Sequence, residues 1–252
     1  MWDNFWERSW TTLTENRQLL LVAFENTLRI AFIGFLLGLA IGSLVALVRT
    51  SPGNNIFIRI AKSIAFVYVL ILRGIPMVVQ LLLLFFVILP TLGLDPVTIA
   101  TIAFGLNGGA YISEILRGAI GGIDKGQIEA GRALGLSNFT TMRKIVLPQA
   151  YKNSVPGLGN EMIMLLKETS VVGFITVIDL TRAMNLITTR TFDVIVPYML
   201  LAFIYLVMVY VLTLIIKIIE RGFECRWQFR EMFKMKGREK KVAKRGWFVR
   251  VR

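Results

Sequence analysis

Long apolar runs along the chain are separated by short charged segments. Four uncharged runs, Ile30 to Val48, Gly74 to Leu94, Val97 to Ser113 and Val194 to Ile216, are long enough, or nearly so, to cross a bilayer, because a membrane helix needs about 20 apolar residues. Such lengths exceed those of barrel strands, and backbone polar groups in lipid have to be satisfied within each segment, so helices are predicted. A less uniform stretch lies between about 154 and 178. Its centre, Asn-Glu-Met-Ile-Met-Leu-Leu-Lys-Glu-Thr-Ser at 160–170, sets Glu161, Lys167 and Glu168 into a region otherwise suited to lipid.

Charge decides whether that stretch is a pass. Residues 49–62 hold Arg49, Arg59 and Lys62 with no acid; residues 117–153 hold Arg117, Lys125, Arg132, Arg143, Lys144 and Lys152 against Asp124 and Glu129. From Lys217 onward there are thirteen basic residues and four acidic ones. Basic loops are retained in the cytoplasm. Four passes would put the 117–153 loop and the tail on opposite sides, so a fifth is required at 154–178. The expected fold is therefore all-α, a polytopic membrane protein of five transmembrane helices with the N-terminus outside and the C-terminus inside. The Leu92 to Pro96 link and the Asp179 to Asp193 segment, where Arg182 and Arg190 balance the two acids, then fall outside.

Composition agrees. The 252 residues are 55% hydrophobic with a formal charge of +13, too apolar for a soluble domain of this size. With no histidine and only Cys225, no His/Cys metal site, Ser-His-Asp triad or internal disulfide is available, so neither catalytic nor metal-binding residues are expected. Gly121 and Gly126 have the spacing of a phosphate loop, but Gln127 stands where its lysine belongs and no strand precedes it. Three segments are expected: an outer interfacial stretch 1–18, a transmembrane domain 19–220 with a cytoplasmic loop 125–150, and a basic cytoplasmic tail 221–252. Trp2, Trp6 and Trp10 share one helical face suited to the outer interface. Trp227, Phe229 and Phe233 alternate with Arg226, Arg230 and Lys234 in the tail, as in a helix lying on anionic lipid; a nucleic-acid arm is disfavoured because the tail directly follows a membrane helix.

The loop reads Glu-Ala-Gly-Arg-Ala-Leu-Gly-Leu-Ser-Asn-Phe-Thr-Thr-Met-Arg-Lys-Ile-Val-Leu-Pro-Gln-Ala at 129–150. A short helix is predicted to stop near Gly135 to Asn138, with Ser137 or Asn138 capping a second that runs toward Pro148. Two helices on a glycine turn form a rigid knob for another protein. These residues resemble the EAA loop of ATP-binding-cassette importer permeases: Glu129, Ala130, Gly135, Ile145, Leu147 and Pro148 stand at the pattern's positions, with Gly131 replacing its second alanine. Arg-Gly-Ile-Pro at 73–76 followed by Gln80, Gly-Ala-Tyr-Ile-Ser-Glu at 109–114, Arg-Gly at 117–118, Lys-Gly-Gln-Ile-Glu-Ala at 125–130, Lys-Glu-Thr-Ser at 167–170 and Leu-Thr-Arg-Ala at 180–183 narrow the resemblance to the histidine/glutamine-type permeases of polar amino acid importers.

That resemblance implies the type I importer permease fold in a prokaryotic cytoplasmic membrane, with a second copy or a related permease chain as partner. It also implies two ATPase subunits that bind the ATP, an extracytoplasmic amino-acid-binding protein, and no cofactor in this chain. The loop, through Glu129, Ala130, Gly131, Gly135, Leu136, Ile145, Leu147 and Pro148, would engage the ATPase. ATP-driven closure would rock the helices between inward-open and outward-open states.

Charges inside a membrane persist mainly where they face protein or water. Glu161 and Glu168 are two turns apart and share a helical face, so they are expected to border the translocation path and to hold a cationic amino acid. Asn107, Tyr111, Gln80 and Thr169 could hydrogen-bond a zwitterion, or equally serve as interhelical contacts. In the family this resembles, acids at the positions of Glu161 and Glu168 accompany cationic substrates. Arginine, lysine or histidine is therefore the expected solute, with glutamine or another polar amino acid as the alternative. Internal pairing, of Lys167 with Glu168 and of Arg73 with Glu114, is the competing explanation of these charges. An ion-coupled carrier and a non-transporting scaffold are the remaining functional classes. Neither calls for both the docking loop and the intramembrane acids.

Overall fold

In the computed structural model, residues 4–51, 53 and 55–249 are described, with side chains through residue 222. Among the described residues the structure is helical and contains no strand. The helices are α1 (Phe5–Glu15), α2 (Arg17–Thr50), α3 (Ile56–Gly74), α4 (Met77–Leu83), α5 (Pro96–Gly121), α6 (Lys125–Ala133), α7 (Asn138–Thr141), α8 (Leu147–Glu168), α9 (Leu180–Thr191) and α10 (Ile195–Val249). The chain divides into Met1–Val211 and Leu212–Arg252. The second unit continues α10; the tail aromatics, Cys225 and, at the other end, Trp2 lie outside the described side chains.

Helices α2, α5 and the 195–222 part of α10 are each long and apolar enough to cross a membrane. A fourth pass is obtained if α3 and the Met77–Ile88 helix, bent by 109° at their junction, count as one. The second membrane helix thus begins at Ile56 rather than at Gly74, the expected start, and Arg59 and Lys62 sit in its first two turns. Pro76 lies at that break. A proline ring has no N–H to give the carbonyl four residues back, and that carbonyl belongs to Leu72.

The centre of the first unit is the α2–α5 pair. Gly34, Gly38 and Gly42 recur every four residues on the buried face of α2 and let it approach α5 backbone to backbone. A Cβ on Gly38 would stand 3.0 Å from the Gly109 nitrogen, and one on Gly42 2.8 Å from the Gly109 oxygen. Small-residue seams of this kind replace the hydrophobic driving force that lipid removes. Against this pair packs α8, whose buried positions Ala150, Ser154, Leu158, Glu161 and Leu165 form one stripe at helical spacing. Ile30, Leu81, Phe104, Leu165, Val172 and Ile175 close the core around the α3–α4 break and the 3₁₀ segment Thr169–Ile175 that follows α8.

Helix α8 starts at Leu147, earlier than the start near Ser154 that hydropathy gave. Pro148 falls in its first turn, where a missing N–H is harmless. Upstream, α7 passes through a π-helical stretch, Met142–Val146, directly into α8. The second arm of the 129–150 loop is therefore the base of the acid-bearing helix and does not end at Pro148.

Candidate functional site

The break between α3 and α4 is stabilised by two amides that the sequence marks as site candidates. Gln80 Nε2 donates to the Leu72 and Ile75 carbonyls, each at 2.7 Å, and Asn107 Nδ2 reaches the Leu72 carbonyl at 3.3 Å. Both residues are buried, and both replace donors lost at Pro76, because an unpaired carbonyl in a water-poor interior is costly. The Thr169 hydroxyl, fully buried, donates to the Leu166 carbonyl at 2.7 Å. In this conformation these donors serve the backbone around the site.

The acids divide into two classes. Glu114 on α5 accepts two bonds from Arg117, 3.0 and 2.6 Å long, and pairs with Arg49 at the end of α2. Asp179 caps α9 by accepting from the Thr181 and Arg182 nitrogens at 2.9 and 3.1 Å. Glu161 is also buried, with 7% of its surface exposed, yet neither it nor half-buried Glu168 has an ion pair or hydrogen bond among the described interactions.

The expected alternative pairs do not form. Arg73 does not reach Glu114, whose oxygens are taken by a neighbour one turn along and by Arg49 across the α2–α5 seam. Its guanidinium instead lies over the Tyr111 ring, 5.1 Å from the centroid. Lys167 is exposed and forms no ion pair with Glu168 among the described residues, since adjacent positions on a helix project about 100° apart.

The 129–148 loop has the two-armed shape its spacing predicts. Helix α6 stops at a left-handed Gly135, φ 77°, with the Leu136 nitrogen bonded to the Gly131 carbonyl at 3.1 Å, and the side chain of Ser137 caps α7 through the Thr140 nitrogen. Gly131 is buried where the arms meet; a Cβ there would stand 2.9 Å from Ile145 Cδ1 and 3.1 Å from Thr141 Cγ2. Glu129, Ala130, Gly135 and Pro148 are exposed, whereas Leu136, Ile145 and Leu147 are half-buried. At the tip Leu134 and Phe139 stand 80% and 74% exposed.

Residues 38–224 match the family described as the binding-protein-dependent transport system inner membrane component. The chain belongs to this family. Among its relatives, the glutamine transport system permease protein GlnP of Escherichia coli (strain K12) is 37% identical over 215 residues, covering 84% of this chain and 96% of that protein. The nopaline transport system permease protein NocM of Agrobacterium fabrum (strain C58 / ATCC 33970) is 35% identical, covering 80% of this chain and 86% of its own length. An amino acid ABC transporter solved with histidines superposes with a TM-score of 0.76 at 34% identity, covering 84% of this chain and 97% of that one. An inward-facing MetNI methionine ABC transporter shares the fold, with a TM-score of 0.70 at 22% identity over 83% of this chain and 98% of that one.

The chain is thus an amino acid ABC importer permease, a membrane subunit of a binding-protein-dependent system. Within the permease, Glu161, Gln80, Asn107 and Thr169 are buried in one unit, and Tyr111 enters through Arg73. Pairing of Arg73 with Glu114, the competing explanation of these charges, is not what the structure has; the place of Arg73 just before a proline break is the signal for a helix-end residue. Leu134 and Phe139 are absent from the expected loop contacts, and apolar side chains flanking a glycine turn in a charged loop are the signal for them.

Proposed function

We propose that this permease carries a basic amino acid, arginine, lysine or histidine, across the cytoplasmic membrane of a prokaryote, and that Glu161 and Glu168 hold its cationic groups. The observation that carries this reading is Glu161: a buried carboxylate without a hydrogen bond or ion pair among the described interactions. Acids that serve structure here are saturated by arginines or backbone N–H groups, and an unsatisfied one is retained at an energetic cost unless a ligand completes it. A relative of known structure, 34% identical, was solved with histidines.

In this reading the permease crosses the membrane five times, N-terminus outside, with the charged α8 as the fifth pass beside the four apolar ones. It pairs with a second copy or a related chain, docks two ATPase subunits that bind and hydrolyse ATP, and receives solute from an extracytoplasmic binding protein. The 129–148 loop meets the ATPase, with Glu129, Ala130 and Pro148 on its exposed surface and Gly131, Gly135, Leu136, Ile145 and Leu147 holding its shape. In this reading the chemistry of ATP belongs to the partner subunits, and no group of three or more potential metal-ligating side chains occurs among the described residues. Gln80, Asn107, Tyr111 and Thr169 line or support the solute site.

The test is transport in liposomes containing the complete complex. Glu161→Gln should weaken arginine or lysine uptake by about tenfold or more, the worth of one charge-assisted hydrogen bond, and leave glutamine uptake little changed. Equal losses on both solutes would remove the cationic reading. The second reading, a glutamine permease, is favoured by the 37% identity to a glutamine system; it predicts glutamine-stimulated ATP hydrolysis with none from arginine.

A further inference from the structure

An amino acid brings a carboxylate as well as its ammonium, and the two glutamates answer only the cationic part. A desolvated carboxylate needs donors of its own, and the planar fork of a guanidinium fits it with two parallel bonds. One arginine of the first unit is placed for this. Arg73 is the last residue but one of α3, it forms none of the ion pairs among the described residues, and Glu114, the acid it would otherwise pair with, is saturated by Arg49 and Arg117. Its guanidinium rests 5.1 Å over Tyr111, a cation–π contact that fixes the head group without using its N–H donors. The backbone beneath is fixed too, since the preceding carbonyl, that of Leu72, is held by both Gln80 and Asn107.

We propose that Arg73 anchors the α-carboxylate of the transported amino acid, with Tyr111 as the platform that positions its guanidinium. The proposal rests on the reading that Glu161 faces the solute, and it assigns the opposite pole of the same site. The charges support it. Arg73 rests on Tyr111 of α5, the helix that packs against α8 and its two glutamates; with both glutamates ionised these three side chains carry one net negative charge, which a basic amino acid neutralises. Arg73 also answers the α-carboxylate of a neutral amino acid, so the anchor does not depend on which side chain is carried.

The purified complex with its ATPase subunits, in lipid nanodiscs, is titrated with radiolabelled arginine and glutamine and with the methyl ester of each. The wild type should bind the better amino acid about tenfold or more tightly than its ester, as expected for loss of a charge-assisted pair. In Arg73→Met that ratio should fall to about one. Arg73→Lys should keep part of it, Tyr111→Phe all of it because the ring remains, and Tyr111→Leu less than Tyr111→Phe. An ester bound as tightly as its parent acid by the wild type overturns the anchor, as does an undiminished ratio in Arg73→Met. Should Arg73→Met elute as aggregate, an undiminished ratio in both Arg73→Lys and Tyr111→Leu overturns it equally. Glu161→Gln separates the two readings: loss of the preference for arginine over glutamine belongs to the cationic subsite, while the acid-to-ester ratio of that variant should stay at the wild-type value.

Discussion

Glu114 and Glu161 sit on α5 and α8, two helices packed against each other, and they are treated in opposite ways. Glu114 is clasped by Arg49 and Arg117, the first of which has only 14% of its side chain exposed. Glu161 is more deeply buried than the Arg117 end of that cluster and has no ion pair or hydrogen bond among the described residues. The difference teaches that burial alone does not classify a membrane carboxylate. One that is saturated ties elements together, here the ends of α2 and α5; one that is kept open lowers stability in exchange for something it binds.

The comparison can be broken at several points by thermal unfolding of the purified protein in one detergent. The largest effect is expected for Glu114→Ala, which strands Arg49 without a counter-charge and should destabilise by about 2 kcal/mol; an unchanged melting temperature would mean that the cluster is ornamental. Asp179→Ala removes the α9 cap and should lose about 1 kcal/mol, read from the same curves. Glu161→Gln should go the other way, leaving stability unchanged or raising it by up to about 1 kcal/mol. A clear loss there would reveal a structural partner for Glu161 and collapse the contrast. Lys167→Gln, at an exposed position without an ion pair, should stay within about 0.5 kcal/mol.

Much of this was legible in the sequence because it follows from local rules. The apolar runs gave α2, α5 and the first part of α10; Gly135 and Ser137 gave the turn and cap of the cytoplasmic loop; the basic loops demanded a pass through the charged stretch, and α8 lies there. What misled is equally local. Hydropathy starts a helix where charge ends, so Arg59 and Lys62 pushed the predicted start of the second membrane helix past its true beginning at Ile56. The break at Gly74 to Pro76 was legible as a proline but not as a site, because the groups that repair it, Gln80 and Asn107, come from one turn beyond the break and from another helix. Arg73 shows the same limit. Its neighbours in sequence are apolar, and the tyrosine beneath it lies on another helix, which only packing brings near.

The unbroken run from the Ser137 cap to Glu168 has a mechanical meaning. If the 129–148 loop docks an ATPase as proposed, a push at its Phe139 end would travel along one helical run to the carboxylates. Force and cargo would then share a single rod. Its regular bonding is interrupted at two places, the π-helical stretch from Met142 to Val146 and Pro156 inside α8.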